Sequence, residues 1–279
     1  MKKLIITAAL YESNISISET GSVSDAEAKT KAICDIVRKT CRAGASIVHF
    51  YAEHKDGENA NDSSIYLKNL TDSIYEVCPE VLIVPESVSR DKYNYDIASG
   101  IIKNEPELAV LNCDIDGVFE DADHAEEQIR RLGNAMLDNG VRPLLKCADK
   151  GMVDTAIRLY REGWMSDPLL FLFILGTKGG MEDSIDNLMY LKNSIPFNSR
   201  WSVGCRGANY ADMAAAAMLM GGNISVGDDK CGIPELIERI SKTAQLAELM
   251  GRETASPAEA RAIMNLNIKY RRVIEEHLL

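Results

Sequence analysis

A histidine, His49, follows an apolar stretch at residues 44–48 that has the composition of a buried strand. Strands covered on both faces are continuous hydrophobic runs, and the polar residues after such strands are where parallel-sheet enzymes keep their chemistry. Tyr51 comes at the same strand end, and the following loop adds Glu53 and His54. These imidazole, phenol and carboxylate groups could hold a metal ion or a substrate carboxylate. The alternative is that His49 is a hydrogen-bonded histidine of the core.

A lysine, Lys146, lies in a second apolar run, directly after Leu144 and Leu145. Burial can free a lysine amine, and the amine could then form a Schiff base with a keto group. Lys146 could equally be the charge partner of Glu86 or Asp114, which follow other apolar runs. The residues themselves leave both interpretations open.

A glycine-rich loop at residues 176–180 follows another predicted strand and contains Gly179 and Gly180. Backbone amides in such a loop could approach a phosphate or a pantetheine chain, while Lys178 supplies positive charge. Glycines are also common after strands because they permit a tight reversal. The loop is therefore a candidate substrate-binding element and no more.

The elements that must position these residues repeat in the order strand, then helix, which is what a parallel sheet with crossover helices requires. Eight strands are predicted, at residues 4–9, 46–51, 81–85, 108–113, 142–147, 169–175, 201–205 and 223–227. Helical spacing of apolar residues covers 25–43 and 123–139, where Asn139-Gly140 ends the second helix. Ser256 and Pro257 begin a further helix near the end of the chain. The sequence predicts one α/β domain over residues 1–279, a (β/α)8 barrel with extra C-terminal helices.

The predicted strand ends of this barrel are polar, and the active site of such a fold is assembled there. They offer Thr7, His49, Tyr51, Glu86, Ser87, Asn112, Cys113, Asp114, Lys146, Cys147, Cys205, Arg206, Asp228, Asp229 and Lys230. Of the four cysteines at or just after strand ends, which include Cys231, none has the spacing of metal ligands. We therefore interpret them as small buried hydrophobic residues and not as a thiol site.

Composition limits the partners and the compartment. The 279 residues carry a formal net charge of -11, which disfavours nucleic acid or an anionic membrane as the main partner. We expect no targeting signal, and no run approaches the roughly 20 apolar residues that span a bilayer. Seven cysteines without a C-x-x-C pair fit reduced thiols. The expected location is the cytoplasm.

Six segments, in order and spacing, carry a resemblance that covers nearly the whole chain. They are residues 4–9, 43–49, 111–113, 175–181, 201–203 and 249–261. With these segments the chain resembles the beta-keto acid cleavage enzymes, the family that includes 3-keto-5-aminohexanoate cleavage enzyme. The resemblance implies a TIM barrel, a homotetramer, and a retro-Claisen-type exchange in which a β-keto acid and acetyl-CoA give acetoacetate and a new acyl-CoA. It also implies a divalent metal, usually zinc, that polarises the keto group.

Carried over residue by residue, the resemblance implies metal ligands at His49, Tyr51 and Asp229, where family members have a histidine pair and a glutamate. We expect catalytic roles at Lys146, Asp229 and Glu86. The substrate-binding positions that we expect at the strand ends and in the glycine loop are Thr7, Ser87, Asn112, Gly179, Gly180 and Arg206. Lys178 and Lys230 could join Arg206 in binding a carboxylate or a CoA phosphate.

The chain departs from the family pattern at positions that all concern the metal, its charge balance or substrate carboxylate binding. Tyr51 replaces the second histidine and Lys146 replaces an acid. Ser225 and Ala208 replace arginines, and Asn14 replaces a glutamate. A retained barrel with a rewritten site leaves two further hypotheses: a metal-free lyase or aldolase-like enzyme that uses Lys146, and a non-catalytic ligand-binding relative. In a metal-binding site, Glu53 or His54 could also contribute.

Overall fold

A computed structural model of the chain describes residues 2–15, 25–53, 59–89, 92–93, 95–114, 122–165 and 167–266. The strands are β1 (Ile6–Tyr11), β2 (Ile47–Glu53), β3 (Leu82–Ser89), β4 (Lys92–Tyr93), β5 (Leu108–Asn112), β6 (Arg142–Cys147), β7 (Leu170–Leu175), β8 (Arg200–Cys205) and β9 (Asn223–Val226). The helices are α1 (Asp25–Ala43), α2 (Ala60–Val77), α3 (Tyr95–Lys103), α4 (Ala122–Asn139), α5 (Lys150–Arg161), α6 (Ile185–Ser194), α7 (Tyr210–Leu219), α8 (Ile233–Leu249) and α9 (Pro257–Ile263).

Eight of these strands form a nearly closed parallel barrel. The strand order is β4-β3-β2-β1-β9-β8-β7-β6-β5, and only the two-residue β4 runs antiparallel to its neighbour. β3 and β5 pack side by side where the ends of the sheet meet. The predicted (β/α)8 TIM barrel is confirmed, and its active-site face is the one at the carboxyl ends of the strands.

The strands form because their residues are buried on both faces, toward the barrel interior and toward the helices. Every residue of β7 is buried, and its sequence, LFLFIL, is a continuous apolar run. Phe171 and Phe173 stack with ring centroids 5.8 Å apart, and Trp201 of β8 lies 6.1 Å from Phe173. This core holds the strand ends in fixed positions.

Several strand boundaries differ from the sequence prediction, among them the carboxyl ends of β1 and β3. β1 runs to Tyr11, beyond the predicted end at Ala9, because Leu10 and Tyr11 continue the ladder with β2. β3 continues to Ser89 beyond Pro85, the residue at which the prediction ended it. A proline has no N–H to donate to a strand ladder. β3 can contain Pro85 because it has a parallel ladder on one side only, where Pro85 lies opposite Phe50. Both extensions add residues to the active-site face.

The segment after α8 closes the opposite, amino-terminal face. Arg252 is buried and donates hydrogen bonds to the carbonyl oxygens of Lys2 at 2.9 Å and Gly222 at 2.6 Å. Leu4 forms a bridge with Thr254. Ser256 then starts α9 with a capping box to Glu259, which confirms the predicted helix start.

The helices have the boundaries that their caps predict. Gly140, with φ of +71°, directly follows the last residue of α4, as the Asn139-Gly140 signal indicated. Within the described ranges, no helix is long and apolar enough to cross a membrane. The predicted helix start at Asp123 is one residue from the observed start at Ala122.

Candidate active site

The carboxyl ends of β1, β2, β3, β6 and β9 bring ionisable and aromatic side chains to one place. The ladder pairs Tyr11 with Tyr51 and Tyr51 with Glu86, while His49 lies two residues before Tyr51 on the same face of β2. Lys146 lies near the carboxyl end of β6, opposite Asn112 of β5. The parallel register thus sets these side chains beside one another at the barrel mouth.

Glu86 is the centre of a buried ion-paired cluster. Its side chain is 3% exposed. Oε2 accepts a hydrogen bond from His49 Nε2 at 2.8 Å, while Lys146 Nζ lies 2.8 Å from Oε1 and 3.2 Å from Oε2. Burial would raise the pKa of Glu86, but the Lys146 ammonium and the His49 hydrogen bond outweigh it and hold that pKa at about 2. We call Glu86, His49 and Lys146 the Glu86 cluster. The suggestion that Lys146 pairs with Glu86 is confirmed.

The depressed pKa of Glu86 predicts a loss of stability in acid. The ordinary value is 4.5 and the folded value is about 2, so the contribution is complete above pH 4.5 and disappears as pH falls toward 2. It amounts to about 3 kcal/mol, at 1.36 kcal/mol per pKa unit. Urea unfolding between pH 5 and 2 should show Glu86→Gln losing less stability than the unmodified protein across this range, by about that amount. Glu127→Gln, at an exposed position, should follow the unmodified protein; equal slopes for all three would contradict the prediction.

An aromatic column stands beside the Glu86 cluster. The rings of Tyr11 and Tyr51 stack with centroids 4.2 Å apart, and the Tyr51 ring lies 4.1 Å from that of His49. Lys146 Nζ is 5.0 Å from the Tyr51 ring centroid, and Lys230 Nζ is 5.3 Å from that of Tyr11. Burial raises the pKa of Tyr51 well above its ordinary value, so this phenol keeps its proton at neutral pH. The column is thus a buried stack of rings with two lysine ammonium groups beside it.

Asp228 and Asp229 are neighbours with different surroundings. Asp228 is 1% exposed and lies against Gly204 so closely that a Cβ on that glycine would collide with its carboxylate. Its Oδ1 is 3.4 Å from the Tyr51 hydroxyl, and burial raises the pKa of this carboxyl. Asp229 instead forms an ion pair with Arg239 of α8 at 2.7 Å. The structure therefore brings Asp228, and not the predicted Asp229, into contact with the aromatic column.

The other predicted substrate residues are spread over the barrel. Arg206 is half-buried, and one Nη lies 3.4 Å from the Tyr11 hydroxyl, so it belongs to the mouth. Asn112 is there too, beside Lys146. Thr7 lies about 7 Å deeper, two residues below the level of His49, where it lines a cavity of about 20 Å³. Ser87 follows Glu86 and borders a small space between β3 and α3, on the outer side of the strand.

The glycine-rich loop is held by its own backbone. Gly176 N–H donates to the Met181 carbonyl, and Met181 N–H donates to the Ala148 carbonyl after β6. Gly180 packs against Ala148, whereas Gly179, with φ of +88°, faces open space. Gly179 is thus accessible to a ligand, and a role for either glycine in substrate binding stays a prediction.

At one of the departures from the family pattern, Asn14, the side chain makes hydrogen bonds that hold the loops of the mouth together. The Asn14 amide donates to the carbonyl oxygens of Lys230 and Cys231, both at 2.9 Å, and so ties the end of β1 to the loop after β9. A buried glutamate does stand two positions earlier, at Glu12. Its carboxylate accepts from the Tyr66 hydroxyl and the Glu53 N–H, each at 2.8 Å, and from Lys29 of α1. Glu12 is thus fully engaged in holding β1, β2, α1 and α2 together.

The cysteines behave as the sequence suggested. All seven are free thiols, and Cys113, Cys147 and Cys205 are buried while Cys231 is half-buried. Burial raises the pKa of Cys147 well above its ordinary value and that of Cys231 to about 12. Because the thiolate is the reactive form, these are poor nucleophiles.

The residues at the mouth do not fit a zinc ion. His49 Nε2 is hydrogen-bonded to Glu86, Tyr51 retains its proton, and Asp229 is paired with Arg239. Across the described ranges, no three His, Cys, Asp or Glu side chains come close enough together to hold a metal. His54, a further candidate donor, lies outside the described residues. The expected ligand set of His49, Tyr51 and Asp229 gains no support from this geometry.

A nearly closed barrel whose strand ends hold an ion-paired lysine, a buried carboxyl and an arginine is typical of the TIM-barrel class of enzymes. A model of the beta-keto acid cleavage enzyme family matches residues 3–266. The chain belongs to this family, which makes it an enzyme of carbon–carbon bond cleavage.

Known proteins of similar sequence agree with the family. A 3-keto-5-aminohexanoate cleavage enzyme of Fusobacterium nucleatum is 32% identical over 95% of this chain and 99% of its own length. A 3-dehydrocarnitine:acetyl-CoA trimethylamine transferase of Rhizobium meliloti is 24% identical over 95% of this chain and 97% of its own. The N-acetylneuraminic acid synthetase structure of Leptospira borgpetersenii superposes with a TM-score of 0.57 at 13% identity, over 99% of this chain and 93% of that one. At that identity the likeness concerns the fold alone.

Proposed function

We propose that the protein transfers an acyl group between a β-keto acid and acetyl-CoA. In this exchange the bond between the β-carbonyl and the α-carbon of the keto acid breaks, and the acyl fragment passes to CoA. The acetyl group of acetyl-CoA joins the remaining acetate unit, so the products are acetoacetate and a new acyl-CoA. The observation that carries the proposal is a match to the cleavage-enzyme family over residues 3–266, on a barrel whose mouth keeps ionised groups.

The cations of the mouth suit a substrate with two neighbouring oxygen functions. Lys146 faces the mouth from β6, and Arg206 faces it from the end of β8. Together they would bind the keto oxygen and the carboxylate, since charge-assisted hydrogen bonds to oxygen anions are the stronger kind. Glu86 positions Lys146 and His49, and its low pKa keeps it ionised for that role.

A proton must move when the carbon–carbon bond is broken and remade. Asp228 suits that step, because its carboxyl is buried, its pKa is raised, and it touches the Tyr51 hydroxyl. The sequence predicted Lys146, Glu86 and Asp229 as the catalytic set. The geometry supports Lys146 with Glu86 behind it, and favours Asp228 over Asp229 for proton transfer.

The finer parts of the proposal follow from the resemblance and the composition. Acetyl-CoA is the proposed co-substrate, with Lys178, Lys230 and Arg206 as candidates for its phosphates. A homotetramer is the proposed assembly. Seven free thiols suit a reducing compartment, and the cytoplasm is the proposed location.

The aldolase-like hypothesis predicts an imine on Lys146, which requires the free amine. The short contact between Lys146 Nζ and Glu86 Oε1 is an interaction of the ammonium form, and it works against that chemistry. Borohydride in the presence of a β-keto acid would trap an imine as a stable mass increase on Lys146. Its absence would leave the acyl-transfer proposal favoured.

The test of the proposal is turnover with acetyl-CoA and a panel of β-keto acids of different side chains, with acetoacetate and the acyl-CoA product measured together. Both products should form in equal amounts. His49→Ala should reduce turnover, because it removes a hydrogen bond from the carboxylate that positions Lys146. Lys242→Met, at an exposed ion pair on α8, is the matched control and should retain full activity. If the whole panel gives neither product, the chain acts on another substrate class or is a ligand-binding relative.

A further inference from the structure

We infer that the Lys146 ammonium, fixed by Glu86, takes the place of a divalent metal as the group that binds the keto oxygen, so that the site works without a metal ion. The inference rests on the proposed β-keto acid substrate. It concerns three residues that the structure describes: Lys146, Glu86 and His49.

The first argument is the position of the cation. Lys146 Nζ is held by both oxygens of Glu86, at 2.8 and 3.2 Å, and lies 5.0 Å from the centre of the Tyr51 ring. The lysine side chain is 15% exposed, whereas that of Glu86 is 3% exposed. The ammonium therefore rests on a buried carboxylate, and the Lys146 side chain is the more exposed of the two.

The second argument is what a metal ion would have to displace. An ion at His49 Nε2 would break the 2.8 Å hydrogen bond to Glu86. It would also approach the Lys146 ammonium, which is bonded to the same carboxylate, and like charges at such short range repel strongly. The remaining nitrogen, His49 Nδ1, is buried and has no hydrogen-bond partner in the described part of the chain. One histidine nitrogen does not make a zinc site.

The third argument is hydrogen-bonding capacity. An ammonium group has three N–H donors. Among the described residues, the hydrogen bonds of Lys146 go to Glu86 alone. A donor thus remains for a substrate oxygen. A positively charged donor placed where an oxyanion develops stabilises that oxyanion without needing to reorganise, which is the role that a Lewis acid would otherwise fill.

The experiment measures metal and ligand separately from turnover. The full chain is dialysed against a chelator, and zinc is then titrated by calorimetry and by elemental analysis after gel filtration. We expect well under one zinc per chain and unchanged turnover after chelation. Stoichiometric zinc whose removal abolishes turnover would overturn the inference.

Binding of acetoacetate to the chelated protein is measured next, by calorimetry. Lys146→Met should abolish this binding and lower kcat by about 10²-fold to 10³-fold, the usual effect of losing one oxyanion donor. Lys146→Arg keeps the charge and should restore part of both. A Lys146→Met protein that unfolds like the unmodified one and yet binds and turns over normally would overturn the inference.

The two proposals fail in distinguishable ways. If no β-keto acid is turned over but chelated protein binds acetoacetate through Lys146, the acyl transfer is wrong and the role of the cation stands. If turnover occurs and depends on zinc, the acyl transfer stands and the role of the cation is wrong. A double variant, Tyr51→His with Lys146→Glu, supplies imidazole and carboxylate in place of phenol and ammonium, and should gain zinc affinity that the unmodified chain lacks. Zinc binding that is equal in both would count against the inference.

Discussion

The substitution Glu86→Ala is expected to lower the free energy of unfolding by about 3–5 kcal/mol, the range measured when one partner of a buried ion pair is removed. The loss is large because Glu86 has two partners. Without the carboxylate, Lys146 loses its hydrogen-bond acceptor among the described residues, and His49, which is fully buried, loses the acceptor for Nε2. Turnover should fall as well, since neither side chain would be held in place.

Urea unfolding at pH 7 measures this prediction. Glu127→Ala is the matched control, because it removes a glutamate from an exposed pair with Arg131 on α4 and should change stability by less than about 1 kcal/mol. Glu86→Gln should fall between the two, since its amide oxygen still accepts one hydrogen bond. A Glu86→Ala protein as stable as the control would mean that the cost of burying the charges cancels their attraction.

Arg252→Met is expected to lower stability by about 3 kcal/mol. The Arg252 guanidinium joins the Lys2 and Gly222 carbonyl oxygens, and hydrogen bonds from a charged donor contribute about 1.5–3 kcal/mol each. Arg252 is 4% exposed, and this burial lowers the pKa of its guanidinium. The replacement fills most of the space but leaves these carbonyls without their donor.

Thermal and urea unfolding of Arg252→Met and Arg131→Met would measure this effect, with Arg131 as an exposed control. Arg252→Lys separates charge from geometry, because one ammonium cannot reach both carbonyls as the planar fork does. We expect it to lie closer to Arg252→Met than to the unmodified chain. Increased stability in Arg252→Met would show instead that desolvation of the guanidinium outweighs its hydrogen bonds.

The fold follows from the sequence because its signals are local. Continuous apolar runs such as LFLFIL in β7, with helical spacing between them, predict buried parallel strands and crossover helices. The errors lie at strand ends. The sequence pattern leaves Tyr11 and the residues after Pro85 outside strands, because only their pairing with the neighbouring strand β2 shows that they continue the ladder.

The site was predictable in its members and not in its arrangement. Lys146, Glu86, His49 and Arg206 were all identified from their position after apolar runs. The choice between Asp228 and Asp229 depends on where the chain turns after Gly227, whose φ of +101° directs the next side chain toward Gly204. No spacing rule encodes that turn. Tyr11 was missed for the same reason as its strand end, since only the register with Tyr51 shows the stack.

The pairing of β1 on both sides affects how the chain can fold as it is synthesised. One neighbour of β1, the strand β2, follows within about 40 residues. The other neighbour, β9, begins only at Asn223, and Leu4 forms its bridge with Thr254. Until those residues have left the ribosome, one edge of β1 exposes unpaired backbone groups. The last strand therefore completes the pairing of the first, and a nascent chain that ends before Val226 would keep that edge open to other chains.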